Sequence, residues 1–283
     1  MDFKNKKIGF IGQGWIGKNY SDDFEERGLT VVRYSLEKEY VMNKDVIKDC
    51  DLVFVAVPTP TKHGEFDDSI VREALKLVGK DKVAVIKSTL LPGTLKKIQV
   101  DFKDIVVLVN PEFLSVATAK YDASNPARNI IGIPLNDEKH KDIARGVMEI
   151  LPEAPFELIC DSTEAELIKY ARNSIGYARV LMANIFHDLT ESFGVDYENI
   201  KKAISADPDN GPTYANALHK SGRGAGGECF IKDFAALSKF YSIHTKDEKG
   251  IQMLRAMEEK NIELLKKTHK DLHLLRGVYG ENI

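Results

Sequence analysis

Cysteine is scarce in this chain: three in 283 residues, Cys50, Cys160 and Cys229. So small and odd a number excludes a disulfide framework and points to a reducing, cytoplasmic compartment. Long apolar runs are missing as well. The stretch Ile8–Ile11 falls far short of the ~18 residues of a membrane span, and no apolar leader follows the charged start Met1-Asp2-Phe3-Lys4. Charge excess is also lacking. Lys and Arg number 40 against 43 Asp and Glu, a net of −3, which excludes the electrostatic footprint of a nucleic-acid or anionic-membrane partner. With 43% hydrophobic, 29% charged and 8% aromatic residues the chain is neither low-complexity nor disordered. Its length predicts one to two domains able to bury a core without cross-links.

Against these absences stands a regular alternation. Runs rich in Val and Ile recur at Ile8–Ile11, Thr30–Tyr34, Leu52–Val57, Val83–Lys87, Val106–Val109, Asn129–Ile133 and Pro155–Cys160. They read as strands buried on both faces of a parallel sheet. Helical stretches such as Gly17–Arg27 and Asp68–Val78 separate them. This predicts an α/β fold, with a doubly wound parallel Rossmann-type domain over residues 1–160. Past residue 160 the texture turns helical. From Ser162 to Phe193, Leu167, Ile168, Ala171, Ile175, Ala178 and Leu181 recur at helical spacing. Ser162 reads as its N-cap, with Glu164 and Glu166 in the first turn, and Gly194 as its stop. A helix over Tyr197–Ser205, an irregular segment from Asp207 to Gly227, and helices over Lys232–Tyr241 and Asp247–Leu275 complete a mostly helical second domain, 161–283. Gly277 reads as the last helix stop.

Gly12-Gln13-Gly14-Trp15-Ile16-Gly17 fits G-x-G-x-x-G, following an apolar strand and opening a helix. Gly12 permits the tight turn, Gly14 lets backbone approach a pyrophosphate, and Gly17 lets helix and strand pack closely. The pyrophosphate would rest on the helix N-terminus. No carboxylate ends the second strand; the residues there are Arg33-Tyr34-Ser35-Leu36-Glu37. Arg33, with Ser35 nearby, suits the 2′-phosphate of NADP. The other reading makes Arg33 a solvated residue, with Glu37 reaching the ribose of NAD.

The segment Gly226-Gly227-Glu228-Cys229-Phe230-Ile231-Lys232-Asp233 places a cysteine among glycines near a helix start. The helix dipole favours a thiolate there and the glycines admit a substrate, whereas Cys50 and Cys160 border apolar strands and read as small buried hydrophobes. Asp233 follows Cys229 by four residues, on the same helical face. Lys169 and Asn173 share a face in the same way, and with such partners could stabilise a developing oxyanion.

Six segments in chain order carry a family resemblance. They are Gly12–Gly17, Val55-Ala56-Val57-Pro58-Thr59-Pro60-Thr61, Ser88-Thr89-Leu90-Leu91-Pro92-Gly93-Thr94, Asn110-Pro111-Glu112-Phe113-Leu114, Ala165-Glu166-Leu167-Ile168-Lys169-Tyr170-Ala171-Arg172-Asn173, and Gly226–Asp233. Together they resemble the nucleotide-sugar dehydrogenases of the UDP-glucose/GDP-mannose dehydrogenase family. The cysteine segment separates that group from hydroxyacid and 6-phosphogluconate dehydrogenases, which share the first-domain pattern. The resemblance implies oxidation of a sugar CH2OH to a carboxylate with two NAD molecules reduced in turn, and it tips the cofactor towards NAD over NADP. It implies that Cys229 is the nucleophile and that Lys169 and Asn173 hold the reacting oxygen. Thr89, Glu112 and Asp233 position and activate water, with Glu112 as the base. Trp15, Ile16, Val57, Pro58, Thr59, Thr89 and Lys232 join the glycine loop at the cofactor. No metal is implied. The expected partners are a nucleotide-sugar substrate and a second copy of the chain, docked through the long helix.

Three departures from the family pattern stand out. Val116 occupies the place of a second family glutamate, four residues after Glu112. Asp209 stands where the family's Asp-x-Arg-Ile-Gly segment has arginine; it also reads as a turn residue. The chain ends at Ile283, where family members continue into a further nucleotide-gripping α/β domain, so a C-terminal UDP-binding domain is read as absent. Without it, the last long helix is expected to leave an apolar stripe exposed. Two other readings fit these departures: a cofactor-binding chain without full turnover, and a two-electron dehydrogenase acting on a smaller substrate.

Overall fold

The computed structural model describes residues 2–281 and 283. They form two compact units: residues 1–59 with 67–169, and residues 60–66 with 170–283.

The first unit is built on seven strands: β1 Ile8–Ile11, β2 Val31–Tyr34, β3 Leu52–Val55, β4 Val83–Ile86, β5 Val106–Val109, β6 Asn129–Ile133 and β7 Glu157–Asp161. They lie in the order β2-β1-β3-β4-β5-β6-β7. Strands β1, β3 and β4 are buried at every residue, as continuous Val/Ile/Leu runs require in a two-sided sheet. Helices α1 Trp15–Glu26, α2 Ser69–Leu75, α3 Thr94–Asp101, α4 Ala119–Ser124 and α5 Glu138–Met148 connect them, and a 3-10 helix over Val41–Asp49 joins β2 to β3. Phe10 and Phe54 stack at 4.9 Å under the edge of Phe24. The sheet departs from the all-parallel expectation at one join. β5 meets β6 antiparallel at Val109 and Gly132, so β6 and β7 run against the other five strands. The β5–β6 connection holds only a 3-10 turn and the six-residue α4, not a full crossover helix. The order reverses between β2 and β3 around β1, and that is where doubly wound sheets open a crevice for ligands.

Helix α6, Ser162–Phe193, spans the predicted 32 residues and begins in the first unit. Its cap is Asp161, not Ser162. Asp161 accepts from the Thr163 amide at 2.8 Å, and Glu164 reaches back to the Asp161 amide at 3.0 Å, a reciprocal capping box. Ser162 is instead fully buried.

The second unit packs the rest of α6 with α7 Tyr197–Ala206, α8 Gly227–His244, α9 Glu248–Lys267 and α10 Leu272–Tyr279. Tyr177 stacks on Phe234 at 3.9 Å within one apolar cluster. Ile231, Ala235, Leu265, Leu275 and Val278 form another. Helix α8 starts five residues before the predicted Lys232, because its first turn is built on Gly226 and Gly227. The single helix expected over Asp247–Leu275 is two. His269 and Asp271 adopt left-handed backbone, φ 55° and 52°, and turn α10 back against α8 and α9. Gly277 therefore lies inside a helix that stops at Gly280. The expected exposed stripe is covered too: Leu265 packs with Leu275 and Val278 of α10, and Leu264 packs in the cluster of Tyr177 and Phe234. Apolar exposure falls instead along α6, at Ile175, Met182, Phe186, Leu189 and Phe193. Among the described residues no helix is long and apolar enough to cross a membrane.

Candidate active site

The glycine loop at the end of β1 has the shape its spacing predicts. Gly12 has φ 92°, and a Cβ there would lie 2.2 Å from the Ala56 carbonyl oxygen. A Cβ on Gly17 would lie 1.9 Å from the Gly12 carbonyl oxygen, so the start of α1 packs directly on the turn. Gly14 differs: it is exposed, and a Cβ on it would meet nothing within 4 Å. It caps α1 without any side-chain bond, and no acidic residue lies in the first turn. An uncapped helix start behind open space fits a pyrophosphate. Trp15 is exposed beside it and Ile16 half-buried. Ser88 pins the end of β3, its hydroxyl accepting from the Val57 amide and donating to the Val57 carbonyl, 3.0 and 2.6 Å. Pro58 is exposed and Thr59 buried.

At the end of β2, the Arg33 guanidinium is held by Asp22 at 2.5 Å and Glu25 at 2.6 Å, both on α1. It is neither a free cation for a 2′-phosphate nor a solvated residue. Ser35 accepts from the Glu37 amide at 3.2 Å, and Glu37 is exposed.

Glu112 follows β5 and is 7% exposed. One carboxylate oxygen accepts from the Phe113 and Leu114 amides, 2.7 and 2.8 Å. The other faces the Lys87 ammonium at 3.2 Å. Lys87, at the end of β4, also donates to Asn110 at 2.6 Å and lies 3.6 Å over the Tyr20 ring. Burial pushes its ammonium below the ordinary range, and the Glu112 carboxylate opposes that shift. Lys169, buried on α6, donates to the Glu112 main-chain carbonyl at 2.5 Å. Thr89 is half-buried, two residues past Lys87. Val116 is 57% exposed in the 3-10 turn that follows.

In the second unit Cys229 is exposed in the first turn of α8, where the helix dipole favours an anion. Cys50 is buried, as expected, whereas Cys160 is only half-buried; burial pushes both thiols up to about 11. Asp233, one turn after Cys229, is 2% exposed. It accepts from the Asn173 amide at 2.7 Å and from the Lys232 ammonium at 2.5 Å. Burial presses the Lys232 ammonium down, but attraction and hydrogen bonding from Asp233 outweigh it and hold Lys232 above its usual value. The structure thus joins Asn173, Lys232 and Asp233 into one network. Asp209 is exposed and donates its amide to Asp207, the residue that closes the turn.

Two groups escaped the sequence reading. Lys87 ends the run Val83–Lys87, and its signal is a lysine closing an apolar run directly before Ser88-Thr89. Glu166, read as a first-turn acid, is fully buried and caps α3, accepting from the Gly93 and Leu95 amides at 2.6 and 2.8 Å. Burial raises its carboxyl to about 7 despite those bonds. His187, Asp188 and Glu191 also cluster, but Arg223 at 2.6 Å and Lys260 at 3.5 Å already hold Asp188, so the cluster reads as an ion-pair network.

Comparison with known proteins agrees with this architecture. The sequence model of the UDP-glucose/GDP-mannose dehydrogenase family, NAD binding domain, matches residues 33–151, and that family's central-domain model matches residues 163–263. The chain is 33% identical over 267 residues to a UDP-glucose 6-dehydrogenase of Rickettsia bellii, covering 90% of this chain and 58% of that protein. It thus spans little more than half the length of that relative. A UDP-glucose dehydrogenase structure from Pyrobaculum islandicum superposes with a TM-score of 0.77 at 25% identity, over 93% of this chain and 68% of that one. A 3-hydroxyisobutyrate dehydrogenase from Mycobacterium tuberculosis shares the fold, with a TM-score of 0.69 at 15% identity, over 99% of this chain and 100% of that one. By its NAD-binding and central domains, the chain belongs to the UDP-glucose/GDP-mannose dehydrogenase family.

Proposed function

We propose that this chain is an NAD-dependent nucleotide-sugar dehydrogenase that oxidises a sugar CH2OH to a carboxylate, with UDP-glucose as substrate and UDP-glucuronate as product. The observation that carries the reading is Cys229, exposed in the first turn of α8 and one turn ahead of the Asn173–Asp233–Lys232 network. The similarity to UDP-glucose 6-dehydrogenases, running through 90% of the chain, supports the substrate class.

Bound NAD supplies the acceptor for the two hydrides that this oxidation gives up, one per cofactor molecule. The open face of Gly14 and the uncapped start of α1 hold the pyrophosphate, beside Trp15, Ile16, Val57, Pro58 and Thr59. The pairing of Arg33 with Asp22 and Glu25 supports NAD over NADP. Glu112, acting with Thr89 through water, takes the alcohol proton as the alcohol becomes an aldehyde. The Cys229 sulfur then adds to the aldehyde carbon, and the thiol proton ends on the aldehyde oxygen, giving a thiohemiacetal. Lys169 and Asn173 steady that oxygen while it carries negative charge. Oxidation of the thiohemiacetal leaves a thioester on Cys229. Water, oriented by Asp233, attacks the thioester carbonyl. The carbon–sulfur bond breaks, the thiol is restored and the acid leaves. The half-buried Lys232 ammonium and the Asn173 amide hold the Asp233 carboxylate in place for this task.

We also assign a homodimer to the enzyme, docked through the exposed apolar residues of α6, and a reducing, cytoplasmic location in keeping with three unpaired cysteines. Light scattering at rising concentration tests the dimer, and a monomer throughout overturns it.

Counting reduced cofactor per sugar consumed tests the activity. The expected result is two per UDP-glucose, with acid formation lost in Cys229→Ser. One observation favours a second reading, a cofactor-binding chain without turnover: Val116 leaves the turn after Glu112 without the family's second carboxylate. NAD binding with no reduction, whichever nucleotide sugar is offered, would decide for it.

A further inference from the structure

The backbone of the segment that leads into Cys229 is held largely by side chains from one distant stretch, while the Arg223 side chain is bound by Asn184 and Asp188 of α6. Residues 222–227 are rich in glycine and offer few side chains of their own, yet six of their backbone groups are bound by that stretch. Lys270 donates to the Gly222 and Gly224 carbonyls at 3.4 and 2.8 Å. Thr268 accepts from the Arg223 amide at 3.1 Å. Asn261 binds Ala225 on both sides, accepting from its amide at 2.6 Å and donating to its carbonyl at 3.0 Å. Asp271 accepts from the Gly227 amide at 2.7 Å, at the very start of α8. Lys270 and Asn261 are 3% and 2% exposed. Glycine leaves room for these side chains. A Cβ on Gly226 would sit 2.1 Å from the Asp271 carboxylate, and one on Gly222 would sit 2.4 Å from the Thr268 hydroxyl.

We propose that the end of α9 and the turn into α10 are the positioning element of Cys229, and that Asp271 restrains its reactivity by setting a carboxylate at the helix end that carries the thiol. Asn261, Thr268 and Lys270 fix where the loop runs; Asp271 closes the first turn of α8, two residues before Cys229. A helix N-terminus alone favours an anionic sulfur, and a carboxylate bound to it works the other way. The remaining charges around this turn are Glu228, Lys232 and Asp233 on α8, with Lys270, Lys220 and His219 on the loop side. Removing Asp271's charge therefore shifts the balance towards the thiolate. The use of this restraint rests on the nucleophile role proposed above, but the restraint itself does not.

The test is the pH profile of iodoacetamide alkylation, followed by the mass of the Cys229 peptide in the full chain without substrate or cofactor. Asp271→Asn keeps an oxygen for the Gly227 amide and loses the charge. Its alkylation should run about two- to five-fold faster near neutral pH, as expected for a helix-terminal charge, with an unchanged rate at the alkaline plateau. Asp271→Ser, which keeps a hydroxyl acceptor, should shift the profile the same way. A higher plateau with no movement of the midpoint means that Asp271 only shields the thiol, and overturns the proposal. So does an unchanged or slower profile. If the shift appears while the unaltered chain oxidises no nucleotide sugar, the restraint stands and the dehydrogenase reading falls.

Discussion

Glu112 and Asp233 are both buried carboxylates beside a lysine, and they are held in opposite ways. Glu112 bends back onto the amides of its own next two residues, and its lysine, Lys87, is 1% exposed. Asp233 is held by side chains, one of them 60 residues away, and its lysine remains 22% exposed. The first pair is set by a local turn. The second is assembled by tertiary packing and reaches the helix end that bears an exposed thiol. The contrast teaches that the work open to a buried charge follows from its partners more than from its burial.

The largest test of that contrast is Lys87→Met. It strands a buried carboxylate and should cost about 3–5 kcal/mol in urea unfolding. Lys232→Met leaves Asp233 its Asn173 bond and should cost less, about 1–3 kcal/mol. Equal losses would erase the distinction. Next in size, Gly17→Ala drives a methyl into the Gly12 carbonyl and should cost about 1–3 kcal/mol. Gly14→Ala meets open space, so unfolding should be unchanged while NAD titration shows weaker binding. Glu166→Gln separates stability from chemistry. Burial raises this carboxyl from 4.5 to about 7. The stability of its protonated form is complete below the lower value and lost as pH rises through the upper one. The variant should flatten the decline between pH 4.5 and 7, read from unfolding midpoints across that range. The smallest effect belongs to Arg33→Ala. With its guanidinium already bound by Asp22 and Glu25, the ratio of NAD to NADP affinity should not move.

Local chemistry was legible in the sequence where it decided the structure. The runs of β1, β5 and β6 fall at their predicted residues, because valine and isoleucine in a two-sided sheet leave little choice. The limits of α6 were equally plain, since Gly194 supplies the left-handed stop at φ 66°. What escaped depends on non-local partners. Nothing near His269 or Asp271 marks a break, since neither is the glycine that left-handed backbone prefers. The reversal at β6 goes with a connection too short for a crossover helix, and the close packing at the join needs Gly132, where a Cβ would sit 2.7 Å from both Ala165 and Val109. At the candidate site, Cys229, Asn173 and Asp233 were nameable from spacing and resemblance. The turning of Glu112 onto its own amides, and of Lys169 onto a carbonyl, needed coordinates.

The clamp on residues 222–227 also orders events during synthesis. Its donors and acceptors lie 36 to 48 residues further along the chain. The strands of the first sheet have been made long before, and domains fold largely as units from the N-terminus onward. The thiol loop, by contrast, emerges as a slack ribbon of glycines and stays so until residue 271 has followed it. Cys229 is thus among the last groups in the nascent protein to acquire its surroundings, and a chain stalled before Asn261 carries a thiol without this clamp.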